Sequence, residues 1–393
     1  MKVSVIIPTR NRAHMLGEAI NSVLSQSLSP YEILIVDDGS EDDTPSIISN
    51  FNGRVRSIRQ DASGKSRALN TGIANSEGDL VIVLDDDDLF PLTALENHVS
   101  ALKSSPQIGF SFGRFQRFRE LPPLSIKNLT HHDISCIPSA DPRRTAVKLM
   151  EACFLPNPSW MARRSALHLA GPYDEAAKRS QDYDMILRLA RFDDGAFVDD
   201  VVLYQRQHDA PRAACRNDSL IDSWIFHDRI LMERLDDTWS LADFRPFKSN
   251  LEDQGEALAW LQRGVAMFIR KAYDRAFNSL GHYRMLLNSG GPSFGELAIA
   301  RTLLTCHYGI DDLIGEDADP NVADSLRSYS WPPSLNRAFC SHLRWPFRQA
   351  LKKGEYKKAS NIARFGVRAF GLIAWSQCTI GREMERLSNS QKI

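Results

Sequence analysis

The chain has 393 residues, with the 43% hydrophobic and 25% charged shares of an ordinary soluble globular protein. This length exceeds what one hydrophobic core normally serves, so we expect two domains. The 48 Lys and Arg residues against 49 Asp and Glu residues give a formal net charge of -1, which argues against nucleic acid as a partner.

The six cysteines lie far apart and never in a CxxC spacing, which argues against a zinc site and a disulfide-stapled secreted fold. The first residues lack the long apolar stretch and small-residue cleavage site of a signal peptide. The longest apolar run near the C-terminus, Ala369 to Trp375, is far shorter than the ~20 residues needed to span a bilayer. These features predict a cytoplasmic protein.

The first 115 residues alternate between strand and helix patterns. Short β-branched runs predict strands at Val3–Ile7, Ile33–Val36, Val55–Ile58 and Leu80–Leu84. Apolar residues on one helical face, or capping signals, predict helices at Met15–Ser25, Thr44–Phe51 and Ser66–Asn75. This alternation predicts a mainly parallel sheet with helices on both faces.

The rest of the chain divides into three regions. Residues from about Arg119 to Pro142 have no clear periodicity and predict an irregular loop over the site. The segment Pro156–Met161 is interpreted as leading into a helix near Arg164–Ala170. A strong helix at Asp182–Arg191 and a strand at Ala196–Tyr204 follow. After about Asn217 the pattern is helical throughout, so the expected domains are residues 1–217 and 218–393.

Two helical segments look related. Glu256–Leu280 and Arg348–Phe370 each contain an aromatic-x-x-Ala element that begins a helix after a short break. This spacing resembles tetratricopeptide-type hairpins, and a plain helical bundle is the alternative.

Residues able to carry chemistry cluster behind the predicted strands, where doubly wound sheets bind their ligands. The first strand runs into Thr9-Arg10-Asn11 and the second into Asp37-Asp38. The most strand-like segment runs into Asp85-Asp86-Asp87-Asp88. Four adjacent carboxylates repel one another unless a cation or hydrogen-bond donors compensate them. Since carboxylate oxygens beside a diphosphate suit Mg²⁺ or Mn²⁺, this turn predicts a metal site rather than a solvated acidic loop.

Four ordered segments resemble the signatures of the family 2 glycosyltransferases: VSVIIPTRNR, ILIVDDGSEDDT, SGKSRALNTGIANSEGDLVIVLDDDD and QDYDMILRLAR. The resemblance covers residues 1 to about 210. It implies an α/β domain of the GT-A fold, Rossmann-like with a mainly parallel central sheet, followed here by an all-α domain. It also implies a nucleotide-sugar donor and a divalent metal.

The resemblance implies nucleotide-binding roles for the residues at the family's motif positions: Pro8, Thr9, Arg10, Asn11, Asp38, Lys65, Arg67 and Asp86. Among them, Asp38 matches the acid that hydrogen-bonds the base, and Asp86 is expected to face the ribose. Asp87, with Asp85, matches the metal-binding part of the DxD motif.

Asp182 matches the general base of inverting family members, which deprotonates the acceptor hydroxyl as it attacks the anomeric carbon. The alternative is a carboxylate that only stabilises a helix N-terminus. The family's usual acid before this base is replaced by Gln181. An amide cannot repel Asp182, so the pKa of the base is expected to be less elevated, or the base differently oriented.

Three further candidates have weaker support. His208 follows the last predicted strand, where relatives place a histidine on the metal or diphosphate, and a surface or packing histidine is the alternative. His131-His132-Asp133 is disfavoured as a metal site because adjacent loop side chains seldom converge on one ion. Trp160 is interpreted either as a stacking platform for an acceptor sugar or as a core residue.

The stretch Arg344–Leu372 contains eight Lys and Arg residues and the single acid Glu355. A basic amphipathic helix of this kind could rest peripherally on an anionic membrane surface. Alternatively, it forms a helical hairpin that mediates a homodimer or holds the acceptor. Gly354 interrupts the helix in mid-run, which favours the hairpin.

The sequence thus predicts an inverting glycosyltransferase that moves a sugar from a nucleotide donor, UDP being expected, to a saccharide, lipid-linked or peptide acceptor. Alternatives are a peptide glycosyltransferase whose helical tail holds the acceptor, and a non-catalytic nucleotide-sugar-binding protein. A sugar-1-phosphate nucleotidyltransferase is disfavoured because no Gly-rich loop follows the first strand. The lack of predicted transmembrane helices argues against a processive polymer synthase.

Overall fold

The computed structural model describes residues 1–104, 106–119, 134–135, 137, 145–207, 220–244, 255–287, 291–304, 311–315 and 318–379. The chain divides into two units, Met1–Arg216 and Asn217–Ile393. The first contains the described strands, and the second is helical.

A seven-stranded sheet forms the centre of the N-terminal unit. Its strands are β1 (Val3–Thr9), β2 (Glu32–Asp37), β3 (Arg56–Arg59), β4 (Leu80–Val83), β5 (Phe110–Phe118), β6 (Trp160–Arg163) and β7 (Gly195–Arg206). They lie in the order β3-β2-β1-β4-β6-β5-β7. Strand β6 is antiparallel to both of its neighbours, and the other described pairs are parallel. The predicted mainly parallel sheet is therefore confirmed.

Helices cover the sheet: α1 (Ala13–Leu24), α2 (Thr44–Ser49), α3 (Lys65–Asn75), α4 (Ala94–Ser104), α5 (Thr145–Glu151), α6 (Arg164–Ala170) and α7 (Gln181–Phe192). All seven residues of β1 and all four of β4 are buried, as expected for central parallel strands covered on both faces. Helix α1 buries a stripe at helical spacing that includes Leu16, Ile20 and Val23. Because β1, β2, β4, β5 and β7 run in one direction, their carboxyl ends share one edge of the sheet.

The helix expected near Arg164–Ala170 is present as α6. The sequence analysis did not predict the strand before it: a short 3₁₀ turn at Asn157–Ser159 is followed directly by strand β6. Trp160 opposes Phe112 of β5 in this ladder and is only 2% exposed, so it packs in the core and offers no sugar-stacking face. The predicted irregular loop at about Arg119–Pro142 lies largely outside the described residues.

The C-terminal unit contains α8 (Leu220–Thr238), α9 (Gly255–Ile269), α10 (Tyr273–Leu286), α11 (Phe294–Ala300), α12 (Asp311–Ile314), α13 (Val322–Ser328), α14 (Pro333–Cys340), α15 (Arg344–Lys352) and α16 (Tyr356–Phe370). Residues 372–379 add a last helical stretch. The predicted helical C-terminal region is confirmed. Among the helices of the described ranges, none is both long and apolar enough to cross a membrane.

The two segments that look related in sequence form the same turn between two helices. The amide of Ala272 donates to the carbonyl of Met267 at 3.0 Å, and that of Glu355 donates to Ala350 at 2.8 Å. The preceding residues, Lys271 and Gly354, are left-handed, with φ of 60° and 74°. Both turns are thus Schellman-type helix ends followed at once by a new helix.

Candidate functional site

The acidic turn Asp85–Asp88 directly continues strand β4 at the carboxyl edge of the sheet. The amide of Leu84 still donates to the carbonyl of Ile6, and the amide of Asp88 folds back onto the carbonyl of Asp85 at 3.1 Å. This turn gathers carboxylate oxygens of Asp85, Asp87 and Asp88 within 4.8 Å of one another. Asp86 is not part of this cluster.

Arg206, at the end of β7, holds the acidic turn in place. Its backbone amide donates to Asp88 Oδ1 at 2.8 Å, and its Nε donates to the carbonyl oxygen of Asp87 at 2.8 Å. Its guanidinium also pairs with Glu18 of α1 and lies over the Phe118 ring. Sequence reasoning missed Arg206, although it is the last residue of the strand and stands just before His208.

Lys65 supplies a cation to the acidic turn. Its Nζ lies 2.6 Å from Asp85 Oδ1, and helix α3 begins at this residue. Although burial by itself would lower it, the charges of Asp85, Asp182 and Asp87 raise the pKa of Lys65. The ammonium therefore stands within electrostatic reach of both the acidic cluster and the predicted base.

Asp182 lies in the first turn of α7, which starts after Ser180 in a left-handed conformation with φ of 58°. The amide of Tyr183 donates to Asp182 Oδ1 at 3.0 Å. Burial raises the pKa of Asp182, Lys65 opposes this shift, and the charge of Asp85 adds to it. Raised basicity in a carboxylate of this position is what a general base requires.

The two remaining acids of the turn have perturbed acidity. Burial, with the charges of Asp87 and Asp85, raises the pKa of Asp86 to about 7, although Arg12 lies 4.0 Å away. Burial and the same two neighbours also raise the pKa of Asp88. The turn therefore concentrates more negative charge than its own surroundings compensate, as expected where a cation binds.

The loop after β2 is built around Asp38, which is buried. Its carboxylate accepts from the Gln60 side chain at 2.8 Å and from the amides of Ser63 and Gly64 at 2.9 and 2.8 Å. An ionised carboxylate offers about four acceptor positions, so about one remains for a ligand. Asp38 therefore shapes the loop that precedes α3.

Asn11 joins the loop after β1 to the loop after β2. It adopts a φ of 53°, a left-handed conformation that Asn tolerates better than most residues. Its amide donates to the Ser40 hydroxyl at 2.9 Å, and its side-chain oxygen accepts from the Glu41 amide at 2.8 Å. Gly39, with φ of 73°, is needed beside it because a Cβ would lie 2.8 Å from the Ala62 backbone nitrogen.

The other predicted nucleotide-binding residues surround the same edge. Pro8 and Thr9 are buried at the end of β1, whereas Arg10 is exposed just beyond it. Arg67 is exposed on the first turn of α3. The two arginines are therefore accessible to an anionic ligand, while Pro8 and Thr9 shape the floor of the edge.

A buried polar network joins α3 to the segment that leads into α7. The Asn70 side chain accepts from the amide of Tyr173 at 2.8 Å and donates to its carbonyl at 2.9 Å. The Tyr173 hydroxyl donates to Asn157 Oδ1 at 2.7 Å. Gln181, beside the predicted base, has a buried Oε1 without a hydrogen-bond partner in the described part of the chain. The bonds of Asn70 therefore tie α3 to the segment that precedes α7.

Two predicted positions cannot be placed. His208 and the His131-His132-Asp133 sequence lie outside the described residues. Of the three predicted metal ligands, the described structure brings Asp85 and Asp87 together and adds Asp88, which the sequence analysis did not select. The only signal for Asp88 was its place in the run of four acids.

The donor set fits a hard divalent cation. Three carboxylates converge, and Asp85 and Asp87 are only partly buried, so the cluster is open on one side. Oxygen ligands of this kind suit Mg²⁺ and Mn²⁺ rather than softer metals.

Comparison with known proteins identifies the N-terminal unit. Residues 4–169 match the model of glycosyl transferase family 2. These residues form a family 2 glycosyltransferase domain within the N-terminal unit. A relative in Rickettsia conorii, named as an uncharacterized glycosyltransferase, is 28% identical over 216 residues, which are 52% of this chain and 34% of that protein. The chain thus spans about a third of that relative's length.

Another relative is WfgD of Escherichia coli, a UDP-Glc:alpha-D-GlcNAc-diphosphoundecaprenol beta-1,3-glucosyltransferase. It is 31% identical over 116 residues, which are 29% of this chain and 46% of that protein. Among solved structures, Staphylococcus aureus TarS 1-349 in complex with UDP-GlcNAc superposes with a TM-score of 0.52 at 14% identity. That match covers 92% of this chain and 90% of that one. The family 2 domain therefore has the GT-A fold.

Proposed function

We propose that this family 2 chain is an inverting glycosyltransferase that moves a sugar from a UDP-sugar to an acceptor hydroxyl. The observation that carries the proposal is the convergence of Lys65, the acidic turn and Asp182 at one edge of the sheet. Such a site combines a carboxylate cluster able to bind a cation with a base of raised pKa. UDP as the carrier is supported by the UDP-Glc donor of the relative WfgD.

On the donor side, the exposed cations Arg10 and Arg67 would meet the diphosphate, and Asn11 and Asp38 shape the loops that would enclose the nucleoside. Asp85, Asp87 and Asp88 would hold the divalent cation, whose positive charge would stabilise the departing diphosphate. Asp86, which is not part of this cluster, would meet the ribose.

On the acceptor side, Asp182 would take the proton of the attacking hydroxyl. As that O–H bond breaks, the acceptor oxygen forms a bond to the anomeric carbon. The bond from this carbon to the phosphate oxygen breaks, and its electron pair leaves with UDP. Attack from the face opposite the diphosphate inverts the anomeric configuration. The charges of Asp182, Asp85 and Asp87 all act on the Lys65 ammonium, which supports a shared site for donor and acceptor.

A nucleotide screen tests the donor site. The melting temperature of the full chain is measured with UDP, GDP, CDP and dTDP, each with and without Mn²⁺, because a ligand of the folded state stabilises it by mass action. We expect a rise with UDP that requires Mn²⁺ and disappears in Asp87→Ala. Asp199→Asn, which changes an exposed acid of β7, serves as the control and should respond as the wild type does. If none of the nucleotides shifts the transition, the donor-site assignment is wrong.

Substitution of the base separates binding from chemistry. Asp182→Asn keeps the size of the side chain but cannot accept the proton, so turnover should fall by about 10² to 10⁴-fold while UDP binding is retained. The measurement is UDP release from a panel of UDP-sugars, with the UDP dissociation constant determined in parallel. Near-normal turnover in this variant would remove Asp182 from the mechanism.

A further inference from the structure

The helical unit contains two copies of one turn in two very different environments. In the α9–α10 turn, the amide of Lys271 donates to the carbonyl of Phe268 at 3.0 Å. In the α15–α16 turn, the amide of Gly354 donates to the carbonyl of Leu351 at 3.1 Å. Together with the matching bonds of Ala272 and Glu355, these contacts align the two turns residue by residue. Burial and ion pairing can therefore be compared between equivalent residues of the two turns.

The first turn is covered by protein. Phe268, Ile269, Arg270 and Ala272 are buried, and Arg270 is 0% exposed. Its guanidinium pairs with Asp228 of α8 at 2.8 Å. An element of the unit therefore packs over this turn and supplies the acid that its basic residue needs.

Within the described ranges, no helix packs over the second turn in this way. All seven residues from Leu351 to Lys357, here called the hairpin tip, are exposed. The position equivalent to Arg270 is Lys353. The hairpin tip also contains Lys352 and Lys357. In the part of the chain that the structure describes, none of these three ammonium groups has a hydrogen bond or an ion pair. Glu355 is the single acid of the tip.

Large apolar and aromatic side chains accompany these lysines. Trp345 is 70% exposed and Tyr356 is 71% exposed, and Leu351 is also exposed. Trp345 precedes Lys352 by seven residues, two helical turns, so both lie on the same face of α15. The hairpin tip and Trp345 thus expose both cationic groups and amphipathic aromatic rings.

Clustered lysines with exposed Trp and Tyr favour a membrane surface over a protein partner. Protein interfaces are depleted of lysine, whereas the surface of an anionic bilayer attracts clustered lysines and accommodates Trp and Tyr at headgroup level. Lysine stems can lie along the apolar boundary while their ammonium groups reach lipid phosphates. We propose that the hairpin tip, with Trp345, is a docking surface for an anionic phospholipid membrane.

Vesicle binding tests this proposal. The full chain, without nucleotide, is sedimented with vesicles of phosphatidylcholine alone or of phosphatidylcholine mixed with phosphatidylglycerol. We expect binding to the mixed vesicles only, weakening as salt is added. Each lysine near such a surface contributes about fivefold in affinity, so Lys352→Gln/Lys353→Gln/Lys357→Gln should weaken binding by about a hundredfold. The triple replacement by Arg keeps the charge and should bind as the wild type does.

A second comparison separates a local surface from net charge. Lys352→Gln/Lys353→Gln is compared with Lys2→Gln/Lys103→Gln, which removes the same charge from exposed residues of the N-terminal unit. Only the first pair should weaken binding. In addition, Trp345→Phe should reduce the blue shift of tryptophan emission that vesicles induce.

Three outcomes would overturn the membrane assignment. They are equal sedimentation with neutral and anionic vesicles, wild-type binding by the triple Gln variant, and tighter binding to soluble poly-glutamate than to the mixed vesicles. The last would indicate an acidic protein partner. Because the assay uses neither nucleotide nor turnover, any of these results leaves the proposed glycosyl transfer to be judged by its own experiments.

Discussion

Lys65 Nζ lies 2.6 Å from Asp85 Oδ1, so an ammonium group of helix α3 already occupies one carboxylate of the acidic turn. The charge of this ammonium also acts on Asp87 and Asp182. A divalent cation that binds the turn must therefore approach a carboxylate that is shared with a resident cation. The positive charge of Lys65 should therefore lower the affinity of the acidic turn for a metal ion.

Removing the ammonium should strengthen metal binding in the absence of nucleotide. An ammonium and a divalent cation about 5 Å apart repel by about 7 kcal/mol at an effective dielectric constant of 20. The Lys65 side chain is 39% exposed, and solvent screening reduces this value. We expect Lys65→Met to bind Mn²⁺ about tenfold more tightly in a calorimetric titration. Lys65→Arg, which keeps the charge, should retain the wild-type affinity. Unchanged or weaker Mn²⁺ binding by Lys65→Met would contradict the shared-carboxylate arrangement.

The acid limb of the turnover profile should depend on residue 181. Burial raises the pKa of Asp182, and a base works only when ionised, so turnover should fall as pH decreases through that raised pKa. Gln181→Glu places a second carboxylate beside the base and disfavours its ionisation. We therefore expect the acid limb of UDP-sugar hydrolysis to move to higher pH in Gln181→Glu.

The matched control is Gln181→Asn, which is uncharged and should leave the limb where it is. Movement of the limb to lower pH in Gln181→Glu would show that residue 181 does not act on Asp182 through its charge.

His98 should make the N-terminal unit less stable in acid. It is 0% exposed, its Nδ1 lies 2.9 Å from the Ser111 hydroxyl, and burial lowers its pKa from 6.5 to about 3. Between these values the unfolded chain binds one more proton than the folded chain, so stability falls as pH decreases from 6.5 towards 3. The loss is about 1.4 kcal/mol per pH unit, or about 2 kcal/mol between pH 6.5 and pH 5.

Urea unfolding of the full chain at several pH values checks this prediction. His98→Leu cannot take up the proton, so its unfolding free energy should depend less steeply on pH across this window. His14→Gln, a change on the exposed surface of α1, is the control and should keep the wild-type slope. Equal slopes in wild type and His98→Leu would mean that the buried imidazole does not carry the effect.

Gly354 should be required for its backbone conformation alone. Its φ is 74°, and a Cβ added there would meet no atom within 4 Å. Gly354→Ala should therefore cost about 1 kcal/mol of unfolding free energy, from left-handed strain partly offset by a stiffer unfolded chain. Gly281→Ala makes the same chemical change inside α10, where a Cβ would contact Tyr329 at an ordinary 3.5 Å. That variant should be stabilised by up to about 1 kcal/mol. Destabilisation of both variants to the same extent would show that contacts, rather than φ, set the cost.

Much of the N-terminal unit could be predicted because its signals are local. β-branched runs such as Val3–Ile7 and Leu80–Leu84 have only one stable use in an alternating pattern, as strands buried on both faces. Parallel strands then place their carboxyl ends on one edge, so the acidic turn after β4 had to meet the loops after β1 and β2. The family motifs added Asp182, and with it the expected site.

Other features depended on partners far away in the chain. Strand β6 was not predicted because Trp160–Arg163 is too short to show a period, and its extended form is stabilised by pairing with β4 and β5. The hydrogen bonds from Arg206 to the acidic turn join residues more than a hundred positions apart, so no local sequence pattern predicts them.

In the two helical turns, too, local sequence determines one property and tertiary packing another. The aromatic-x-x-Ala spacing by itself predicted two related hairpins, because a helix end and a helix start depend on a few adjacent residues. Only the tertiary structure decided that Arg270 is buried against Asp228, whereas the equivalent Lys353 is exposed on a projecting tip. The physical reason is that backbone conformation is set by neighbours in sequence, whereas burial and charge compensation are set by whichever elements pack above.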